Sequence, residues 1–149
     1  MQLYKYPLRD KYRTVQEIKK AVNTYYHDLD GFANIRSMNF LDFYNMVKNI
    51  PYIRDMKDSE IVSRPKFLLT IFNALDCKKK AILIASYMKL KHGPGSYRFC
   101  LSSNRPDRVI GHIFTQVLVN GQWRNADATY SRNKYGQQKS VTVLEIVKG

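Results

Sequence analysis

From Cys77 to about Lys91 the chain reads as a helix with almost no polar face. Ala81, Ile82, Leu83, Ile84, Ala85, Tyr87, Met88 and Leu90 make it apolar nearly all round. Such a helix is a buried one, because no surface orientation hides all of its side chains. Gly93-Pro94-Gly95 ends it. With 149 residues, 44% of them hydrophobic, including 11 Tyr and 7 Phe, the chain can wrap that helix in one core. A single domain over residues 1–149 is expected. Seven Gly and five Pro are too few for a low-complexity chain, and no internal period suggests stacked repeats.

The cover for one side of the core is legible upstream. Thr14-Val15-Gln16-Glu17 matches a capping box, and Val15, Ile18, Val22, Tyr25, Tyr26 and Leu29 recur at helical spacing up to Asp30-Gly31. The pattern predicts a helix over about residues 15–29. A second is predicted over 39–49, where Phe40, Phe43, Tyr44 and Val47 share a stripe and Ile50-Pro51 stops it. Residues 1–60 thus read as a helical N-terminal cover over a core region, 61–149. Residues 51–66, polar and holding Pro51 and Pro65, read as a connection, and the apolar stretch 67–72 leads into Asp76-Cys77.

Beyond the buried helix the pattern turns to strands. Residues 97–101 have strand composition, 102–111 read as a loop, and 113–119 alternate. Asn120-Gly121 is a strong two-residue hairpin signal, residues 122–127 return from it, and 141–147 supply a further strand. A two-residue turn pairs Val119 with Gln122, which sets His112 opposite Thr129 and Phe114 opposite Asp127. His112 and Asp127 are then diagonal neighbours on one face, with Cβ atoms about 7–8 Å apart, close enough for an imidazole and a carboxylate to hydrogen-bond.

Cys77, His112 and Asp127 are therefore the candidate catalytic residues. A thiol nucleophile needs a base, and the base needs a third group to orient it and to stabilise its protonated form. Cys77 opens a helix, where the macrodipole favours a thiolate, and Lys78, Lys79 and Lys80 are expected to add positive charge beside it at some cost to the helix. Each residue singly has an ordinary reading, as a packing thiol, a solvated histidine and a turn-forming aspartate. Their coincidence with a hairpin that joins two of them favours the site.

Charge and cysteine usage bound the setting. The net charge of +13 is uneven: residues 1–76 carry +3 and residues 77–149 carry +10. Such a field attracts an acidic partner or nucleic acid to the C-terminal half. No nucleic-acid motif accompanies it, although Arg132-Asn133-Lys134-Tyr135 has suitable composition. Cys77 and Cys100 can form a disulfide in an oxidising setting; a reducing compartment is the simpler reading. The start of the chain has no apolar run of the signal-peptide type, and no 18-residue apolar stretch predicts a transmembrane segment. Three His and two scattered Cys have no metal-ligand spacing, and there is no Gly-rich phosphate loop, so neither metal nor cofactor is expected.

At these residues the chain resembles the transglutaminase-like superfamily. The matching stretches are Asp76-Cys77-Lys78-Lys79-Lys80-Ala81-Ile82-Leu83, Gly111-His112-Ile113-Phe114, Asn120-Gly121-Gln122-Trp123 and Asp127-Ala128-Thr129, in order within residues 64–130. The resemblance implies an α+β fold of papain-like, transglutaminase-like type: a central Cys-bearing helix packed on an antiparallel sheet, with N-terminal helices added. It implies acyl transfer on a protein or peptide amide by Cys77, His112 and Asp127, with hydrolysis by a protease or amidase favoured over cross-linking. It looks most like small transglutaminase-like proteins encoded by bacteriophages. That likeness implies virion proteins as partners and a place in the host cytoplasm or the virion. The other reading is a catalytically silent virion structural or interaction protein with a basic surface.

Two positions depart from the family pattern, Lys78 and Lys79 where acidic residues are common and Leu75 where Gly is. For the oxyanion, the Cys77 backbone N–H is one donor and Asn73 the candidate for the second.

Overall fold

The computed structural model describes residues 3–6, 11–54 and 60–149. In chain order the elements are β1 (Leu3–Tyr6), α1 (Lys11–Tyr25), a 3-10 turn (Tyr26–Gly31), α2 (Ala33–Arg36), α3 (Phe40–Lys48), β2 (Glu60–Ser63), α4 (Pro65–Thr70), α5 (Cys77–His92), β3 (Tyr97–Ser103), β4 (His112–Val119), β5 (Gln122–Ala126) and β6 (Val143–Lys148). The class is α+β.

The helix α5 is the buried axis, every residue from Lys78 to Met88 being buried. β3 and β4 pack against it, and α1, the 3-10 turn, α3 and α4 surround the rest. Ile82, Leu83 and Ile84 have no exposed surface, and each such side chain contributes about 2 kcal/mol of transfer free energy. Thr115 Oγ1 of β4 donates to the Ala81 carbonyl at 3.0 Å, which sets helix against sheet. Among the described residues, no helix is long and apolar enough to cross a membrane.

The main sheet is antiparallel with strand order β5-β4-β3-β6. Its hairpin has the predicted register, Val119 opposite Gln122 through to Thr115 opposite Ala126. Asn120 at φ 51° and Gly121 at φ 76° give the turn the two positive values that match strand twist. β6 covers residues 143–148 where 141–147 were expected, and β3 runs two residues past its expected end.

The N-terminal region differs from the sequence reading in three ways. α1 begins at Lys11, so Thr14 is an interior, fully buried residue of the helix and not its cap. Packing with Val15, Ile18, Ala21 and Val22 outweighs the capping preference of its hydroxyl. After Tyr25 the helix tightens into the 3-10 turn up to Gly31. Second, residues 1–60 are not wholly helical: β1 and β2 pair antiparallel, Leu3 opposite Ser63 through to Tyr6 opposite Glu60. Third, residues 51–66 hold β2 and the start of α4, with Pro65 in the first turn, where its missing N–H costs nothing. α3 agrees with expectation; Asn39 Oδ1 caps it by accepting from Asp42 N at 2.8 Å.

Candidate active site

His112 opens β4 and Asp127 follows the last residue of β5. The register brings them together as expected, His112 Nε2 lying 2.7 Å from Asp127 Oδ2. Asp127, only 3% exposed, is held from several directions. Its Oδ1 accepts from Thr129 N at 3.1 Å and Thr129 Oγ1 at 2.6 Å, and its Oδ2 also accepts from Lys139 Nζ. Its carbonyl accepts from Tyr44 Oη at 2.8 Å and Asn133 Nδ2 at 3.2 Å.

These contacts set the charge states. Burial pushes the Asp127 carboxyl up, but the hydrogen bond from His112 and the charges of His112 and Lys139 outweigh it and hold the group well below the usual carboxylate range. Burial pushes the His112 imidazole down, and the hydrogen bonds to Asp127 and Cys77 outweigh that, raising it to about 10. The histidine is therefore an imidazolium beside a carboxylate at neutral pH. Its ring stacks on Phe114 at 5.7 Å between centroids, and Lys139 Nζ sits 5.2 Å from the centre of the Phe114 ring.

Cys77 is the first residue of α5, half-buried, and near enough to His112 to help hold its imidazole protonated. With Nε2 committed to Asp127, Nδ1 is the ring nitrogen left to face the thiol. The structure thus brings all three predicted residues together, His112 bonded to Asp127 and Cys77 acting on the same imidazole. Cys77 and Cys100 are both free thiols. Cys100 is fully buried in β3, and burial pushes its thiol up to about 12.

The lysines after Cys77 behave differently from the expectation that they add a field beside the thiol. All three are buried. Asp76 caps α5 by accepting from Lys79 N at 3.0 Å, and the same carboxylate pairs with the ammonium groups of Lys78 and Lys79. That one carboxylate offsets one of the two charges. Lys80 donates to the carbonyls of Ile50 at 2.5 Å, Thr129 at 2.9 Å and Lys48 at 3.3 Å. Burial pushes its ammonium down to about 8, against a pull upward from Asp127. One side chain of α5 thereby ties down the segment after α3 and the segment just beyond Asp127. The +10 of the C-terminal half is correspondingly not all a surface field.

Asn73, the expected second oxyanion donor, is exposed on the turn before α5. A different side chain neighbours the thiol. The chain after α3 runs beside Leu75, with Leu75 N donating to the Pro51 carbonyl at 2.9 Å and Ile53 N to the Leu75 carbonyl at 3.2 Å. This pairing carries Tyr52 up to the site: burial raises its hydroxyl first, followed by the charges of Tyr130 and Cys77. Nothing local in the sequence marks Tyr52, Lys139 or Tyr44 as neighbours of the site. Their signal lies in pairings across 12 to 83 residues, which periodicity does not report.

The geometry can hold a proton between a thiol and an imidazole while a buried carboxylate fixes the ring. No protein-family model, curated protein or solved structure matches the chain.

Proposed function

We propose that the chain is a transglutaminase-like cysteine enzyme of papain-like fold that transfers the acyl group of a protein or peptide amide, chiefly to water. On the resemblance, we take it to be phage-encoded. The observation that carries the reading is His112 Nε2 2.7 Å from the Asp127 carboxylate, beside a thiol that opens α5 and acts on the same imidazole.

In this reading His112 already holds the proton taken from Cys77, and the thiolate Sγ of that ion pair attacks the amide carbon. The developing oxyanion meets the Cys77 N–H, which as the first of the helix has no intrahelical acceptor. The Tyr52 hydroxyl is the neighbouring side-chain donor. His112 returns the proton to the amide nitrogen as the C–N bond breaks, releasing an amine or ammonia and leaving a thioester. Water, losing its proton to His112, attacks the thioester, and the thiol leaves with the acid as product. Asp127 stabilises the imidazolium in both halves.

The test needs no known substrate. At pH 6.5 iodoacetamide is expected to alkylate Cys77 at least about tenfold faster in the native protein than in His112→Ala, followed by the mass of the Cys77 peptide. Equal rates would remove the catalytic reading and favour a silent virion component of the same fold.

A further inference from the structure

Between the segment after α3 and the segment beyond Asp127 runs a groove of about 180 Å³, lined by Lys48, Pro51, Tyr52, Thr129, Tyr130 and Arg132 among others. Two of its walls belong to the site: Tyr52 feels the charge of Cys77, and Thr129 holds Asp127. From Tyr52 the groove continues as a stack. The Tyr52 and Tyr130 rings lie 4.9 Å apart between centroids, and the Arg132 guanidinium sits over Tyr130 at 4.2 Å. Among the described residues, no Asp or Glu lines the groove. Arg132 is exposed and, among the described residues, meets no carboxylate, whereas the Lys48 ammonium is already engaged by the Asn133 carbonyl at 3.0 Å.

A guanidinium braced on an aromatic face, with its donors unspent, is a fork suited to a carboxylate, and stacking limits the entropy lost when it binds one. We propose that this groove is the acyl-donor subsite and that it selects amides carrying a carboxylate side chain beside the scissile bond, with Arg132 the specificity-determining residue. The assignment of the groove to an acyl donor rests on the function proposed above; its preference for negative charge does not. The tyrosine shelf holds the apolar stem of such a donor, and the fork holds its end. A neutral or basic donor leaves the guanidinium in water and gains only the shelf.

The experiment uses two haloacetamides that differ by one charge, N-iodoacetyl-glutamate α-amide and N-iodoacetyl-glutamine α-amide, reacting with Cys77 of the full chain at low ionic strength. The glutamate probe is expected to react at least about threefold faster, the preference falling with added salt. Arg132→Gln should abolish the preference and leave the iodoacetamide rate unchanged; Arg132→Lys should keep part of it. Equal rates for the two probes, or a preference that survives in Arg132→Gln, overturns the proposal. So does an Arg132→Gln variant slowed equally toward every reagent, because that marks a structural role. Failure of the catalytic reading looks different: slow, His112-independent alkylation by all reagents, whatever their charge.

Discussion

Replacing Asp127 by Asn removes one charge and keeps the shape, so the contacts around the carboxylate fix the size of the effect. Asn Oδ1 can retain both bonds from Thr129. Its amide nitrogen then faces His112 Nε2 and Lys139 Nζ, both of which donate to the carboxylate in the native site. Two charge-assisted bonds are lost at a position 3% exposed. Each is worth about 1.5–3 kcal/mol, and breaking a buried pair from one side costs about 3–5 kcal/mol in total. At about 2.1 cal/mol/K per residue, unfolding 149 residues carries an entropy of about 0.3 kcal/mol/K, so Tm should fall by about 10–15 °C.

The same variant has a pH signature. His112 in the folded chain holds its proton up to about pH 10, against an ordinary 6.5. Its contribution to stability is therefore complete below about pH 6.5 and drains away as pH rises toward 10, at up to about 1.4 kcal/mol per unit. Lys80, lowered to about 8, works in the opposite direction, but only from about pH 8 upward. Between pH 7 and 8 the native protein should lose about 1 kcal/mol more stability than Asp127→Asn. Thermal unfolding of both proteins at pH 6.5, 7 and 8 measures the two effects. A Tm drop under about 3 °C, or an unchanged pH slope in the variant, would refute the claim that Asp127 holds a charged His112.

Lys80→Met should change stability by no more than about 2 kcal/mol, because relief of the buried ammonium offsets three carbonyls left without their donor. Its iodoacetamide rate at Cys77 should nevertheless fall about tenfold, since the Tyr52 and Thr129 segments lose their tie to α5; a native rate would show that Lys80 positions nothing. Gly121→Val forces a β-branched residue to φ 76° and should cost about 1–3 kcal/mol in urea unfolding, whereas a loss under about 0.5 would mean that the hairpin accepts another turn.

The axis of the fold and half of the site were legible because both are local. From Ala81 to Met88 α5 is apolar nearly all round, so burial is set by composition whatever covers it. The turn at Asn120 and Gly121 sets the β4–β5 register by backbone twist, and the register carries His112 to Asp127 without help from the rest of the chain. The Thr14 reading failed for the converse reason: a capping pattern is a local preference, and core packing overrode it. The pairing of β1 with β2 joins four-residue runs nearly sixty positions apart, too short for either to announce itself. The destinations of the lysines were hidden likewise, since a sequence records that a side chain is cationic and not which carbonyls surround it.

By itself, then, the sequence determined what short-range sterics and periodicity decide: a buried helix begun by a cysteine, and a hairpin that joins a histidine to an aspartate. The tertiary structure decided that Lys80 grips three carbonyls, that Lys139 joins Asp127, and that Tyr52 comes to stand by Cys77. These contacts join segments distant along the chain, and their free energy exists only after the core has closed and excluded water from the groups that make them.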